Sequence, residues 1–72
     1  MLTIFFERSG EDAKATLKAF RSELLRAGAC REVKLLASAQ QADLYLLVAT
    51  WADDAPPAAP EGTKLWVFRA ED

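Results

Sequence analysis

An α+β fold, with four strands in one antiparallel sheet and a single helix on one face, is what this chain of 72 residues predicts. Three observations lead there. Four separate segments alternate with a period of two, one segment carries apolar residues at three- and four-residue intervals, and a proline-rich tract stands where a second helix would otherwise fit.

The first strand is read from "MLTIFFER", where Leu2, Ile4 and Phe6 alternate with Thr3, Phe5 and Glu7 and make one strongly apolar face. "SGED" opens the helix. Ser9 is placed to accept a bond from the Asp12 amide, and Glu11 and Asp12 lie where a helix macrodipole favours negative charge. Ala13, Leu17, Phe20, Leu24 and Ala27 then form a stripe, with Lys14, Lys18, Arg21 and Glu23 outside it, so one helical face is buried. Gly28 is expected to end the helix as a left-handed cap.

"CREVKLLAS" resumes alternation through Val33, Leu35 and Ala37 against Glu32, Lys34 and Leu36. After the polar connection "AQQAD", the segment "LYLLVATW" sets Leu44, Leu46 and Val48 against Tyr45, Leu47, Ala49 and Trp51, so both of its faces are apolar. The last strand, "KLWVFRA", repeats this with Leu65 and Val67 against Trp66 and Phe68. One amphipathic helix covers only one face of such a sheet. The aliphatic set with Phe6 is assigned to the helix side, and Phe5, Tyr45, Trp51, Trp66 and Phe68 to the opposite side, where an exposed apolar patch marks an interaction surface.

Composition bounds the rest. The whole chain, 1–72, is one domain, and at this length only about 60% of the unfolded surface is buried on folding, so outside support is expected. Cys30 is the only cysteine and there is no histidine, which leaves a partner subunit as the support. A solvent-exposed cytoplasmic protein is expected, because no run of 18 apolar residues occurs and a lone cysteine fits a reducing compartment. Nine Lys and Arg against eleven Asp and Glu give a net charge of -2, which argues against nucleic acid and anionic membrane as partners.

The tract 52–62, "ADDAPPAAPEG", excludes a regular helix through Pro56, Pro57 and Pro60. Fully extended, it spans roughly 34 Å, enough to recross a sheet. The favoured course is a crossover that sets the last strand beside the first, parallel to the third. A loose hairpin beside the third strand, or a strand given to a neighbouring subunit, are the alternatives.

The order strand, helix, strand, strand, link, strand is that of a ferredoxin-like fold without its second helix. Within it, "REVKLLASAQQADLYLLVATWADD" resembles the central hairpin of the antibiotic biosynthesis monooxygenase group of dimeric α/β-barrel proteins. In that group a strand ending near "LL" is followed by a short turn, an aliphatic strand, and a tryptophan with an acidic or small residue after it. The resemblance implies a homodimer made by stacking two sheets, with Phe5, Tyr45, Leu47, Trp51, Trp66 and Phe68 at the interface. It also implies, for members that act as cofactor-free oxygenases, asparagine, tryptophan and tyrosine near the substrate, and a histidine in haem-degrading relatives. This chain has no asparagine and no histidine, its proline tract replaces the family's second helix, and only Trp51 matches a motif position.

Other constellations read as structure. Absence of histidine rules out the usual hydrolase triads and most zinc and haem sites, so no cofactor and no metal are expected. Cys30 beside Arg31 reads as a small packed residue rather than a reactive thiol. Asp53 and Asp54 read as solvated loop acids, since two adjacent carboxylates lack the ligand number a cation demands. Lys64 and Arg69 flank Trp66 and Phe68 as in sheets that stack RNA, but the net charge opposes that use.

Three functions follow from different classes. The favoured one is a non-catalytic homodimeric member of the barrel group that binds a ligand or partner. An oxygenase acting on a planar aromatic substrate needs Tyr45, Trp51 and Trp66 to line a dry pocket, which a one-residue bulge would permit. A ligand-sensing module, binding a small apolar ligand, needs a DNA-binding partner because the chain has no helix-turn-helix.

Overall fold

Local pattern and observed elements agree closely. The computed structural model describes residues 1–71 and contains β1 (Leu2–Ser9), α1 (Ala13–Arg26), β2 (Cys30–Ala37), β3 (Leu44–Trp51) and β4 (Lys64–Arg69). Sheet order is β2-β3-β1-β4, with every neighbouring pair antiparallel. This is an α+β arrangement compatible with a ferredoxin-like fold that has one helix. None of its helices is long and apolar enough to cross a membrane, among the described residues.

Because β3 and β4 flank β1 and both run against it, they are parallel to each other and the segment between them recrosses the sheet. Trp51 stands opposite Leu2 and Lys64 opposite Glu7. Five residues along β1 and two strand spacings across make a gap of about 20 Å, well within the reach of the proline tract. The tract forms no helix and leans on the core through Ala59. It is tied at its start by the Trp51 indole, whose Nε1 donates to the Ala55 carbonyl at 3.1 Å. At its end, Gly62 at φ 84° and a bond from the Thr63 amide to the Pro60 carbonyl turn the chain into β4.

Register stacks the helix side of the sheet into rows. Val67, Ile4, Ala49 and Val33 make one row, and Leu65, Phe6, Leu47 and Leu35 the next. A third row joins Arg69, Leu2, Trp51 and Cys30, beside a bulge between Cys30 and Glu32. Ala13, Leu17, Phe20 and Leu24 of α1 are buried against these rows, as their spacing predicts. Phe20 meets Phe6 edge-to-face, with ring centroids 4.9 Å apart. Burying each of the large helix residues contributes about 1.5–3 kcal/mol.

Two local expectations are corrected. Ser9 closes β1, and Asp12 is the N-terminal cap residue without a side-chain capping bond. Gly10 instead makes the turn at φ 117°, and its carbonyl accepts from the Ala13 amide. Gly28 is not left-handed either. The helix ends because Ala27 is extended, at φ -79° and ψ 132°, with its amide bonded to the Leu24 carbonyl.

The larger correction concerns β3. Its phase is opposite to the assignment made from residue type, so Tyr45, Leu47, Ala49 and Trp51 face the helix while Leu46 and Val48 face away. The reason is steric and topological. Ala49, the smallest residue of β3's core row, lies in the middle of the sheet under α1, and Trp51 fills the space near the link. Register is held at the β2–β3 connection by Asp43 at φ 60°, whose carbonyl accepts from the Gly10 amide, and by the Ser38 amide bonded to the Leu44 carbonyl.

Candidate functional site

The face away from α1 is built from three rows of four residues. Phe68, Thr3, Thr50 and Glu32 form one row. Trp66, Phe5, Val48 and Lys34 form the second, and Lys64, Glu7, Leu46 and Leu36 the third. The apolar members describe a diagonal band from Phe68 to Leu36, through Trp66, Phe5, Val48 and Leu46. Glu32 and Thr50 occupy one corner beside the band, and Lys64 and Glu7 the opposite corner.

Among the described residues, no element covers this band. Trp66 is 48% exposed, Phe68 54% and Leu36 46%, values seldom seen for so many large apolar residues on one surface. Phe5 and Phe68 meet edge-to-face with centroids 5.4 Å apart, a diagonal cross-strand pair that stiffens the band. Between the aromatic side chains lies a shallow depression of about 640 Å³, open to solvent and lined by Thr3, Phe5, Glu7, Leu46, Trp66 and Phe68.

Phe5, Trp66 and Phe68 therefore lie on the open face, where the sequence places them. Leu47 and Trp51 do not, since both are buried in the core, and Tyr45 is half-buried on the helix side. As a pocket set, Tyr45, Trp51 and Trp66 do not converge: the first two sit at opposite ends of β3 beneath the helix, and Trp66 lies across the sheet. Leu46 and Val48 belong to the open face rather than to the helix side expected for them, and Leu36 joins them there beside Lys34 and Glu32, on the side its alternation predicts. A signal for them existed in Thr50, which continues the Leu44, Leu46, Val48 series and marks it as the more polar of the two.

The remaining candidates take structural positions. Cys30 is half-buried at the core's edge, and Arg31 turns its guanidinium to the Gly28 carbonyl at 3.0 Å rather than to the thiol. Asp53 accepts from the Ala55 amide at 3.4 Å, and Asp54 lies 3.7 Å from Arg69. Lys64 and Arg69 project to opposite faces of the sheet, so they do not flank a common stacking surface. The Asp12 carboxyl is held below its usual range, chiefly by a hydrogen bond from Arg8, and it lies on the helix side.

Comparison with protein-family models, with curated proteins and with solved structures found no significant match to the chain. The likeness to the antibiotic biosynthesis monooxygenase group thus rests on the hairpin pattern of residues 31–54 alone. The structure has a small antiparallel sheet with one helix in a ferredoxin-compatible order.

Proposed function

We propose that the chain is a non-catalytic binding module that works as a homodimer, two copies stacking through their open sheet faces. The observation that carries this reading is the continuous band of Phe68, Trp66, Phe5, Val48, Leu46 and Leu36, left uncovered by the chain's own helix.

Charge favours a copy of the same chain as the cover. The face carries two acids, Glu7 and Glu32, and two lysines, Lys34 and Lys64, so it is neutral and meets itself without net repulsion. Lys34 already lies 3.7 Å from Glu32. Size favours it too. The molecule is a slab of 33 × 28 × 18 Å. Its broad side offers up to roughly 900 Å², against about 800 Å² per partner in a standard interface. The sheet-stacked dimers of the group that the hairpin resembles bury the equivalent face, and a small apolar ligand would find its place in the aromatic depression at that junction.

The test is the mass of the assembly by analytical ultracentrifugation, with Leu46→Lys as the variant. Leu46 lies inside the band, so a lysine there desolvates an unpaired ammonium on stacking and raises the dissociation constant by about tenfold or more. Assembly through the face should be lost while the far-ultraviolet circular dichroism stays native. A wild-type chain that sediments as a folded single subunit at micromolar concentration would sink the reading.

A further inference from the structure

β4 differs from every other strand in that all six of its residues are exposed. Stacking of the open faces accounts for Trp66 and Phe68. It does nothing for Leu65, 39% exposed, and Val67, 41% exposed, which lie on the helix side where α1 does not reach. Along its outer edge, β4 has no strand neighbour among the described residues, so a row of backbone donors and acceptors is unpaired there.

The two edges of the sheet are treated differently. β2, at the other edge, carries Glu32 and Lys34 and a bulge between Cys30 and Glu32. These are the devices by which sheets discourage pairing with other chains. β4 keeps its two charges, Lys64 and Arg69, at its ends: the four residues between them, Leu65 to Phe68, contain no charge, no proline and no bulge. An edge of this kind is a template for another strand.

We infer that β4 pairs edge to edge with β4 of a second copy, antiparallel about a twofold axis at Trp66, so that two four-stranded sheets join into one of eight. The axis that relates antiparallel strands stands perpendicular to the sheet, so directly opposed residues share a face in both copies. That symmetry forbids Lys64 from standing opposite Arg69, and centring on Trp66 also keeps each of these cations from facing its own copy. Centred on Trp66, the pairing sets Leu65 against Val67 twice on the helix side. On the open face it sets Lys64 beside the Phe68 ring twice, a cation–π contact. The joined sheets keep both helices on one side and both aromatic bands on the other. Edge pairing is independent of face stacking, and the two together make an assembly of four copies.

Sedimentation of wild type, Val67→Lys and Leu46→Lys at one concentration separates the two contacts. Val67 is exposed and faces away from the aromatic band, so a lysine there blocks the edge and leaves the stacked face intact. Four copies are expected for wild type and two for each variant. Unchanged mass in Val67→Lys overturns the edge pairing, whatever the outcome for the face. Halved mass in Val67→Lys with unchanged mass in Leu46→Lys supports the edge and removes the stacked reading instead. Amide hydrogen exchange on the wild-type chain needs no variant to fold: alternate β4 amides, those directed away from β1, should be protected in the assembly. Rapid exchange at these positions overturns the proposal.

Discussion

Arg8 reaches across 53 residues of sequence to hold the end of the link. Its Nη1 donates to the Glu61 carbonyl and, at 3.0 Å, to the Thr63 hydroxyl, while Nη2 donates to Asp12 Oδ2 at 2.9 Å. One side chain thus ties β1 to the helix start and to the turn before β4. Gly62 makes room for it, since a Cβ at that position would stand 3.1 Å from Arg8 Nη1. Nothing in "FFERSGED" announces this, because a strand-terminal arginine reads as solvated until the chain's later course is known. Arg8→Met keeps the stem but removes the donors, and is expected to lower stability at neutral pH by about 1–2 kcal/mol through the lost link contacts. The Asp12 contribution has a definite sign. Its folded-state pKa is depressed, chiefly by the bond from Arg8, so the stabilisation is present above the unfolded-state value and is lost as pH falls through the folded one. Urea titrations at about pH 7 and about pH 3 should therefore show the gap between wild type and variant narrowing in acid, slightly, because Asp12 is exposed.

At the scale of elements, β3 shows where pattern stops deciding. Its position from Leu44 to Trp51 is legible, since eight residues alternate between polar breaks on either side. Its phase is marked only by Thr50, because both faces are otherwise apolar and alternation alone gives two equal answers. Pairing with β1 settles the matter by placing Ala49 opposite Ile4 and Leu47 opposite Phe6, all beneath the helix. Ala49 has no exposed surface, whereas Val48 next to it faces the open side. Ala49→Leu should overpack the helix–sheet layer and cost about 1–3 kcal/mol. Val48→Leu, adding a single methylene on the open side, should stay within about 0.5 kcal/mol. Thermal melts of the two variants check this directly, and the reverse order of stabilities would mean that the phase is inverted.

For the whole molecule, the two tryptophans report on different boundaries. Trp51 is 5% exposed and bonded to the link, whereas Trp66 stands at the junction of the open face and the free edge. Acrylamide quenching over a dilution series should find one shielded indole at every concentration and a second that becomes accessible as the assembly dissociates. A second indole accessible at every concentration would show that Trp66 is covered by nothing, and both contacts proposed for β4 would fall with it.

The number and kind of the elements, the buried stripe Ala13, Leu17, Phe20, Leu24, and the existence of an apolar face in need of a cover are legible in the amino-acid order alone, though the two helix caps are not. These follow from local spacing, which residues near in the chain satisfy among themselves. It takes the folded molecule to show that Tyr45, Leu47 and Trp51 turn inward, that Leu46 and Val48 complete the open band, and that β4 lies at the sheet edge beside β1. Each depends on register and neighbour choice between segments tens of residues apart. Such choices are fixed by how side chains of different strands fill one shared layer under the helix, a quantity that no single segment contains.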